Sequence, residues 1–424
     1  MRAILVILLS VLILPSSSLA TVWRVDAHGG ADFLTIQAAI TAAAGDDEII
    51  VNPATYQENI DYSGKDLWIH SAGGVDQTTI NGGGRGSCVT FRNSESLSAI
   101  LEGFTLTAGT GTSYLGETMG GAIFCLNASP TIRNCSLIGN TANYAAGISV
   151  RNADPQITGC TFRGNTSDAY GGGIAGPTSL PVIRDCIFEN NDSGSGDGTI
   201  HLALASPITG CVFRNNRARS GAAINAGGLG ADYQIQGCIF DGNVAWQNGG
   251  AIRIHEANGL IERCLFVGNS ATANGGAIIA LDGAAPTIRN CTFDHNGAGE
   301  TGGGISVWAY AQPAISNCII ADTDAGAGIY CVYGSPILLC NDVWHSAGGN
   351  YGGDCGDPTG QNGNISEDPL FCNPASGDYG IRSDSPCAPA HNPACGLIGA
   401  YDIACGGPTP VRPVSWGMLK GMYR

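Results

Sequence analysis

The sequence predicts an all-β protein: a right-handed, single-stranded parallel β-helix with three short strands per coil. Three observations lead there. Cysteine recurs at steps of 25, 26, 25, 27, 26, 27 and 27 residues, at Cys135, Cys160, Cys186, Cys211, Cys238, Cys264, Cys291 and Cys318. Each period holds three short apolar pieces between turn residues, with no helical periodicity. A unit of this length cannot bury its apolar face alone, so copies must stack.

The repeat assigns a role to each column. Two residues after the cysteine comes Phe162, Phe188, Phe213, Phe240, Phe266 or Phe293, with Leu137 and Ile320 at the two ends. Strands have period two, so cysteine and phenylalanine share a face, and that face points inward. Five residues after the cysteine stands Asn140, Asn165, Asn191, Asn216, Asn243, Asn269 or Asn296; Thr323 breaks the series. Asparagine suits a left-handed bend, and its amide is expected to bond to the copies above and below. Upstream, GGAI at 120–123, 249–252 and 275–278 and GGGI at 171–174 and 302–305 open another strand. Their glycines suit turns that a Cβ would block. The third piece often opens with proline, where a missing N–H does least harm.

The ends depart from the period. Residues 1–20 read as a signal peptide: Arg2, an apolar run too short to span a bilayer, and small residues at Ser18-Leu19-Ala20. The β-helix is assigned to 21–405, with 21–119 as N-terminal cap and first coils, 120–340 as regular coils and 341–405 as a Cys-rich C-terminal cap. A linker and tail occupy 406–424. Within 31–44 an amphipathic helix is expected to cover the open end, with Phe33, Ile36, Ala39 and Ile40 inward, Asp32 as N-cap and Gly45 as stop. Past Cys340 the period is lost. There Cys355, Cys372, Cys387, Cys395 and Cys405 are expected to form a disulfide scaffold, whose pairing spacing does not reveal. The column cysteines are expected to stay mostly free, because stacking makes their Cβ vectors parallel.

Charge narrows the partners. Nineteen basic residues against 35 acidic ones leave a net charge of −16. Such a surface disfavours nucleic acid and anionic membrane. A leader without a later transmembrane segment predicts a protein that is secreted or held at an outer cell surface, and a monomer is expected. Its candidate partners are polysaccharides, or glycans and proteins of a cell surface.

With Ile252 and Ile254 pointing inward, Arg253 and His255 point outward. The same register places Arg151, His201, Asn225 and Trp308 on that outward face, a row suited to an extended acidic or neutral glycan. No cofactor and no metal site are expected. One cysteine per coil does not converge on an ion, and HEANG at 255–259 lacks the second histidine of H-E-x-x-H. Asp192, Asp197 and His201 come nearest to a hydrolytic set, but their Gly/Ser-rich surroundings read as a solvated turn. Asp294 and His295, in FDHNG at 293–297, fall within the ordinary repeat.

GGA-I and F-x-x-N within one coil resemble the repeats of chlamydial polymorphic outer-membrane proteins. More broadly they resemble bacterial right-handed β-helix proteins of the pectin-lyase-like fold. The opening DFLTIQAAI…DEIIVNPATYQENI is similar to that of pectin methylesterases, and the Cys-rich close to that of secreted β-helix proteins. WGMLKGMYR looks like tails that act in sorting. The resemblance implies fold and export. It does not imply catalysis: the Asp-bearing G-x-V-D-F-I-F-G and Q-G-R motifs of the esterases are missing, as are N-T-D, G-H-G and R-I-K of the polygalacturonases. The leading expectation is a non-catalytic rod for adhesion or carbohydrate contact, with no catalytic residue assigned. The alternative is a polysaccharide lyase or glycoside hydrolase, and calcium enters only under the lyase reading.

Overall fold

A computed structural model describes residues 20–202, 206–229 and 231–405. The predicted leader (apart from Ala20), linker and tail lie outside the described residues. The chain winds into a right-handed parallel β-solenoid whose three long sheets hold 13, 12 and 12 strands. The proline-led pieces build the first sheet, the Gly-Ile pieces the second and the Cys/Phe pieces the third. Within these three sheets register passes from coil to coil without a slip: Ile224 pairs with Ile252 and Ile252 with Ile278. Likewise Phe213 pairs with Phe240 and Phe240 with Phe266. Among the described residues, no helix is long and apolar enough to cross a membrane.

In-register stacking turns sequence columns into interior rows. The six phenylalanine rings stack at centroid separations of 4.5 to 5.0 Å. The eight column cysteines are buried free thiols. Cys264 Sγ, for example, donates to Glu262 O at 3.3 Å and Ile235 O at 3.6 Å. Burial pushes the Cys264 and Cys291 thiols well above their ordinary range, which leaves almost no thiolate to react.

The asparagine column forms the expected ladder, but by different backbone chemistry. Asn165 Oδ1 accepts from both the N–H and the side-chain amide of Asn140, at 3.0 and 3.1 Å. Its own amide donates to Leu137 O at 2.9 Å. The left-handed residue is the one before each asparagine, such as Gly139, Gly164 or Asn190. The ladder residues are therefore kept for buried amide bonding, not for the bend. Past the break at Thr323 a second ladder begins in the register of the cysteine column: Asn341 Oδ1 accepts from Cys318 N, and Asn364 Oδ1 from Asn341 N, each at 3.0 Å. At the Gly-Ile step, Gly249 has φ +65°, and a Cβ there would lie 2.4 Å from Ile252 O.

The N-terminal helix is shorter than expected, Ile36–Ala42, and its cap is Thr35. Thr35 Oγ1 accepts from Ala38 N, while the Glu58 carboxylate takes the N–H groups of Ile36 and Gln37, each at 2.9 Å. Asp32 instead accepts from Arg24 N. Ile36, Ala39 and Ile40 are buried as the pattern predicts.

The C-terminal region departs most. Tyr351–Gly353 still pairs with Ile329–Val332, so coiling continues past Cys340. The disulfides are Cys331–Cys355, Cys340–Cys395 and Cys372–Cys405. Two coil cysteines therefore join the scaffold. Cys387, expected in a disulfide, is a buried free thiol 3.1 Å from Asp342 Oδ2. The segment from Phe371 also turns back as a flap along the outside of the Cys/Phe sheet. There Tyr379 packs with Val212, Ile239 and Leu265, and Ile381 and Ile398 pack with Ile319. Asn317 Nδ2 donates to Cys395 O and Leu397 O, at 2.9 and 3.0 Å.

Candidate glycan-contact corner

Between the asparagine ladder and the glycine turn the chain forms a fourth, shorter strip. Thr112–Tyr114, Glu117–Met119, Thr141–Tyr144 and Thr166–Tyr170 make one four-stranded sheet; Arg217–Ala218, Val244–Ala245, Ser270–Ala271 and Gly297–Ala298 make another. Bridges through Asp192 link them. The strip meets the outward side of the Gly-Ile sheet. Tyr114 lies 5.8 Å from Phe124 between ring centroids, and Met119 Sδ lies 3.1 Å from Arg151 Nε.

That side is therefore an inner corner instead of a flat plane. Its inner row, including Phe124, Ser149, Asn225, Ile279 and Ser306, is buried although it points away from the core. Its outer row, including Arg151, His255 and Trp308, is half-buried. Ile252 and Ile254 point inward and Arg253 and His255 outward, as period two requires.

Of the six expected side chains, the structure brings three together. His201, Asn225 and Arg253 occupy matching positions on consecutive coils. Asn225 Nδ2 lies 2.9 Å from His201 Nδ1, and Arg253 Nη1 donates to Asn225 Oδ1 at 3.2 Å. The amide thus holds Nδ1 as the acceptor, which leaves Nε2 to carry the imidazole proton. Arg219 grips Asp197 through Nε and Nη2 at 3.0 and 3.1 Å, and Arg253 stands 4.0 Å from the same carboxylate. Asp197 is thus a buried ion-pair partner and not the solvated turn residue expected, while Asp192 accepts from Gly194 N within the turn. On the other side Tyr170 lies 4.5 Å from His201, and Tyr144 lies 5.8 Å from Tyr170 and is stacked on it.

The remaining three stand apart. Arg151 lies over the Tyr114 ring at 5.6 Å. His255 Nε2 is 3.1 Å from Asp282 Oδ2. Trp308 keeps its Nε1 buried without a partner.

Tyr144, Tyr170 and Arg219 escaped the sequence reading. A signal for the tyrosines was present: each stands four residues before the isoleucine of its Gly-Ile step, as Met119 does before Ile123. Strip pairing places these three in one row.

Burial, with a smaller push from Arg253, lowers the His201 pKa to about 4 from 6.5. His201 is therefore neutral near pH 7. Between those values the unfolded chain binds a proton that the folded one refuses, so this contribution is complete above pH 6.5 and is lost as pH falls through 4. Its size is on the order of 3 kcal/mol. Melting temperature is expected to fall more steeply from pH 6.5 to 4 in the native chain than in His201→Gln. Parallel curves would refute this.

Two solved structures are similar at low identity. An alginate lyase from Paenibacillus sp. str. FPU-7 is 11% identical, with a TM-score of 0.35 over 71% of this chain and 96% of its own. The A-module of the mannuronan C-5 epimerase AlgE6 from Azotobacter vinelandii is 13% identical, with a TM-score of 0.20 over 79% of this chain and 94% of its own. No curated protein matches the sequence. A family model described as the right handed beta helix region matches residues 58–259 and 208–365. These segments span well over half of the chain, which therefore belongs to the right-handed β-helix family.

Proposed function

We propose that this protein is an exported, rigid rod whose corner at Tyr144, Tyr170, His201, Asn225 and Arg253 contacts an extended glycan without cleaving it. The observation that carries the reading is a row along the rod axis. Rings stand 5.8 and 4.5 Å apart from Tyr144 to Tyr170 to His201, followed by an amide and a guanidinium. Aromatic faces pack against the apolar faces of sugar rings, and a guanidinium addresses hydroxyls and carboxylates; buried Asn225 sets His201 and Arg253 in place. The leader and the likeness to chlamydial surface repeats support display outside a bacterial cell.

Binding without turnover fits the charges. Asp197 is the carboxylate tied into this row, and Arg219 holds both its oxygens. A glycoside hydrolase needs two carboxyl groups facing the bond to be cleaved. Titration with uronic-acid and neutral oligosaccharides is expected to show saturable binding, weakened about tenfold by Arg253→Ala or Tyr170→Ala, roughly 1.4 kcal/mol each. His255→Ala and Trp308→Ala, away from the row, are expected to change it less. Absence of binding to either class would reject the reading.

One observation favours the lyase alternative: a neutral imidazole at His201, flanked by Tyr170 and linked through Asn225 to Arg253. Unsaturated ends released with or without calcium, and abolished by His201→Ala, would establish it.

A further inference from the structure

The column just before the asparagine ladder is glycine or asparagine through most of the stack: Gly139, Gly164, Asn190, Asn215, Gly242 and Gly268, all with positive φ. The last three coils change its chemistry. Phe293 pairs with Ile320 and Ile320 with Val343, so the column continues as His295, Asp322 and His345. Parallel stacking sets such neighbours about 4.8 Å apart. An imidazole, a carboxylate and an imidazole thus stand in line where glycine sufficed earlier.

Two more carboxylates flank the line. Asp324 Oδ1 lies 2.8 Å from His295 Nδ1. Asp294 is 2% exposed, and its Oδ2 accepts from Tyr379 of the flap at 2.9 Å and lies 4.0 Å from His295 Nε2. Asp322 Oδ1 is 2.5 Å from His345 Nδ1. One ligand atom each from Asp294, His295 and Asp322 fall within 4.8 Å of one another. Among the described residues, these three carboxylates find ion-pair partners only in His295 and His345. The cluster thus gathers more negative charge than its surroundings neutralise.

We propose that Asp294, His295 and Asp322, with Asp324 and His345 beside them, hold one first-row divalent cation of the zinc class, and that this ion fastens the C-terminal flap to the last coils. Mixed imidazole and carboxylate donors suit zinc and its neighbours, whereas calcium and magnesium take all-oxygen sets. The flap joins the site through Tyr379 on Asp294. Cation binding to the folded form alone adds stability by mass action. No metal is expected from the sequence, since its cysteines do not converge and HEANG lacks a second histidine; Asp294 and His295 fall within the ordinary repeat, and only the stacking of three coils assembles the set.

The test uses the full mature chain without an affinity tag, stripped with EDTA and titrated with Zn²⁺ alone. Calorimetry is expected to give one ion per chain, and the melting temperature is expected to rise with Zn²⁺ but not with Ca²⁺. Asp322→Asn and His295→Gln are each expected to weaken binding at least about tenfold. His345→Gln, at a side chain 75% exposed, guards against loss by misfolding and is expected to weaken binding less. Arg253→Ala is expected to leave zinc binding intact, which separates this site from the glycan corner. No saturable Zn²⁺ binding, equal affinity for Ca²⁺, or unchanged affinity in both Asp322→Asn and His295→Gln would overturn the proposal.

Discussion

Asn216→Ala is expected to cost about 3–5 kcal/mol, because it strands several buried polar groups at once. Asn216 is fully buried. Its Oδ1 accepts from the N–H and the side-chain amide of Asn191, each at 3.0 Å. Its own amide donates to Phe188 O at 2.9 Å and Asn243 Oδ1 at 3.0 Å. Alanine removes one double acceptor and two donated bonds in a place water does not reach. Each unpaired group costs roughly 1–3 kcal/mol, and the terms are not additive. Asn216→Asp is expected to be no rescue: it keeps an acceptor, removes both donors and buries a charge. Because coils contact mainly their neighbours, the loss is local and the unfolding transition is expected to broaden. Guanidinium titration followed by far-UV circular dichroism measures it. A loss below about 1 kcal/mol would contradict the ladder's role.

Phe240→Ala is expected to be comparably severe, at about 3–5 kcal/mol for the cavity alone. The ring is fully buried and lies 5.0 Å from Phe213 and 4.6 Å from Phe266, its plane within 4° of each. Such contacts add roughly 0.5–1.5 kcal/mol per pair beyond area. Phe240→Leu is expected to keep most of the stability, since the same row already ends in buried Leu137 and Ile320. Thermal denaturation of the two variants side by side checks this. If leucine costs as much as alanine, ring stacking and not volume governs the row.

The two substitutions mark how far columns carry. A strand spacing repeated without slippage makes every column a spatial row, so Cys264, Phe240 and Ile252 could be placed inside from periodicity alone. Free thiols in the cysteine row follow from the same parallel stacking. Outward positions are less determined. Arg253 and His255 were placed on the right face, but whether that face is open depends on residues from another part of the coil. Tyr144 and Tyr170 close it into a corner because they sit in a strip that pairs beside that sheet; their common spacing before the Gly-Ile step marks them as one row but not what the row packs against.

The residues directly after the column cysteines show a similar limit. Ile187, Val212, Ile239, Leu265 and Ile319 point outward yet are apolar, a sign that something covers them. Reading Cys355 to Cys405 as an end cap hid the covering. The occupant is the flap around Tyr379 and Ile381, held by Cys340–Cys395, which joins residues 55 apart.

Repetition in the chain thus settled the solenoid, its interior rows and the direction each strand residue faces, since translation by one coil leaves the environment unchanged. Contacts that break this translation had to await the folded molecule: the cap at Thr35, the pairing of the last cysteines, the partners of Asp197 and the convergence of His295, Asp322 and His345. The first two join segments related by no period, and loop closure between such segments leaves little trace in local sequence; the last two join neighbouring coils at positions where the residue type does not repeat, so no column announces them.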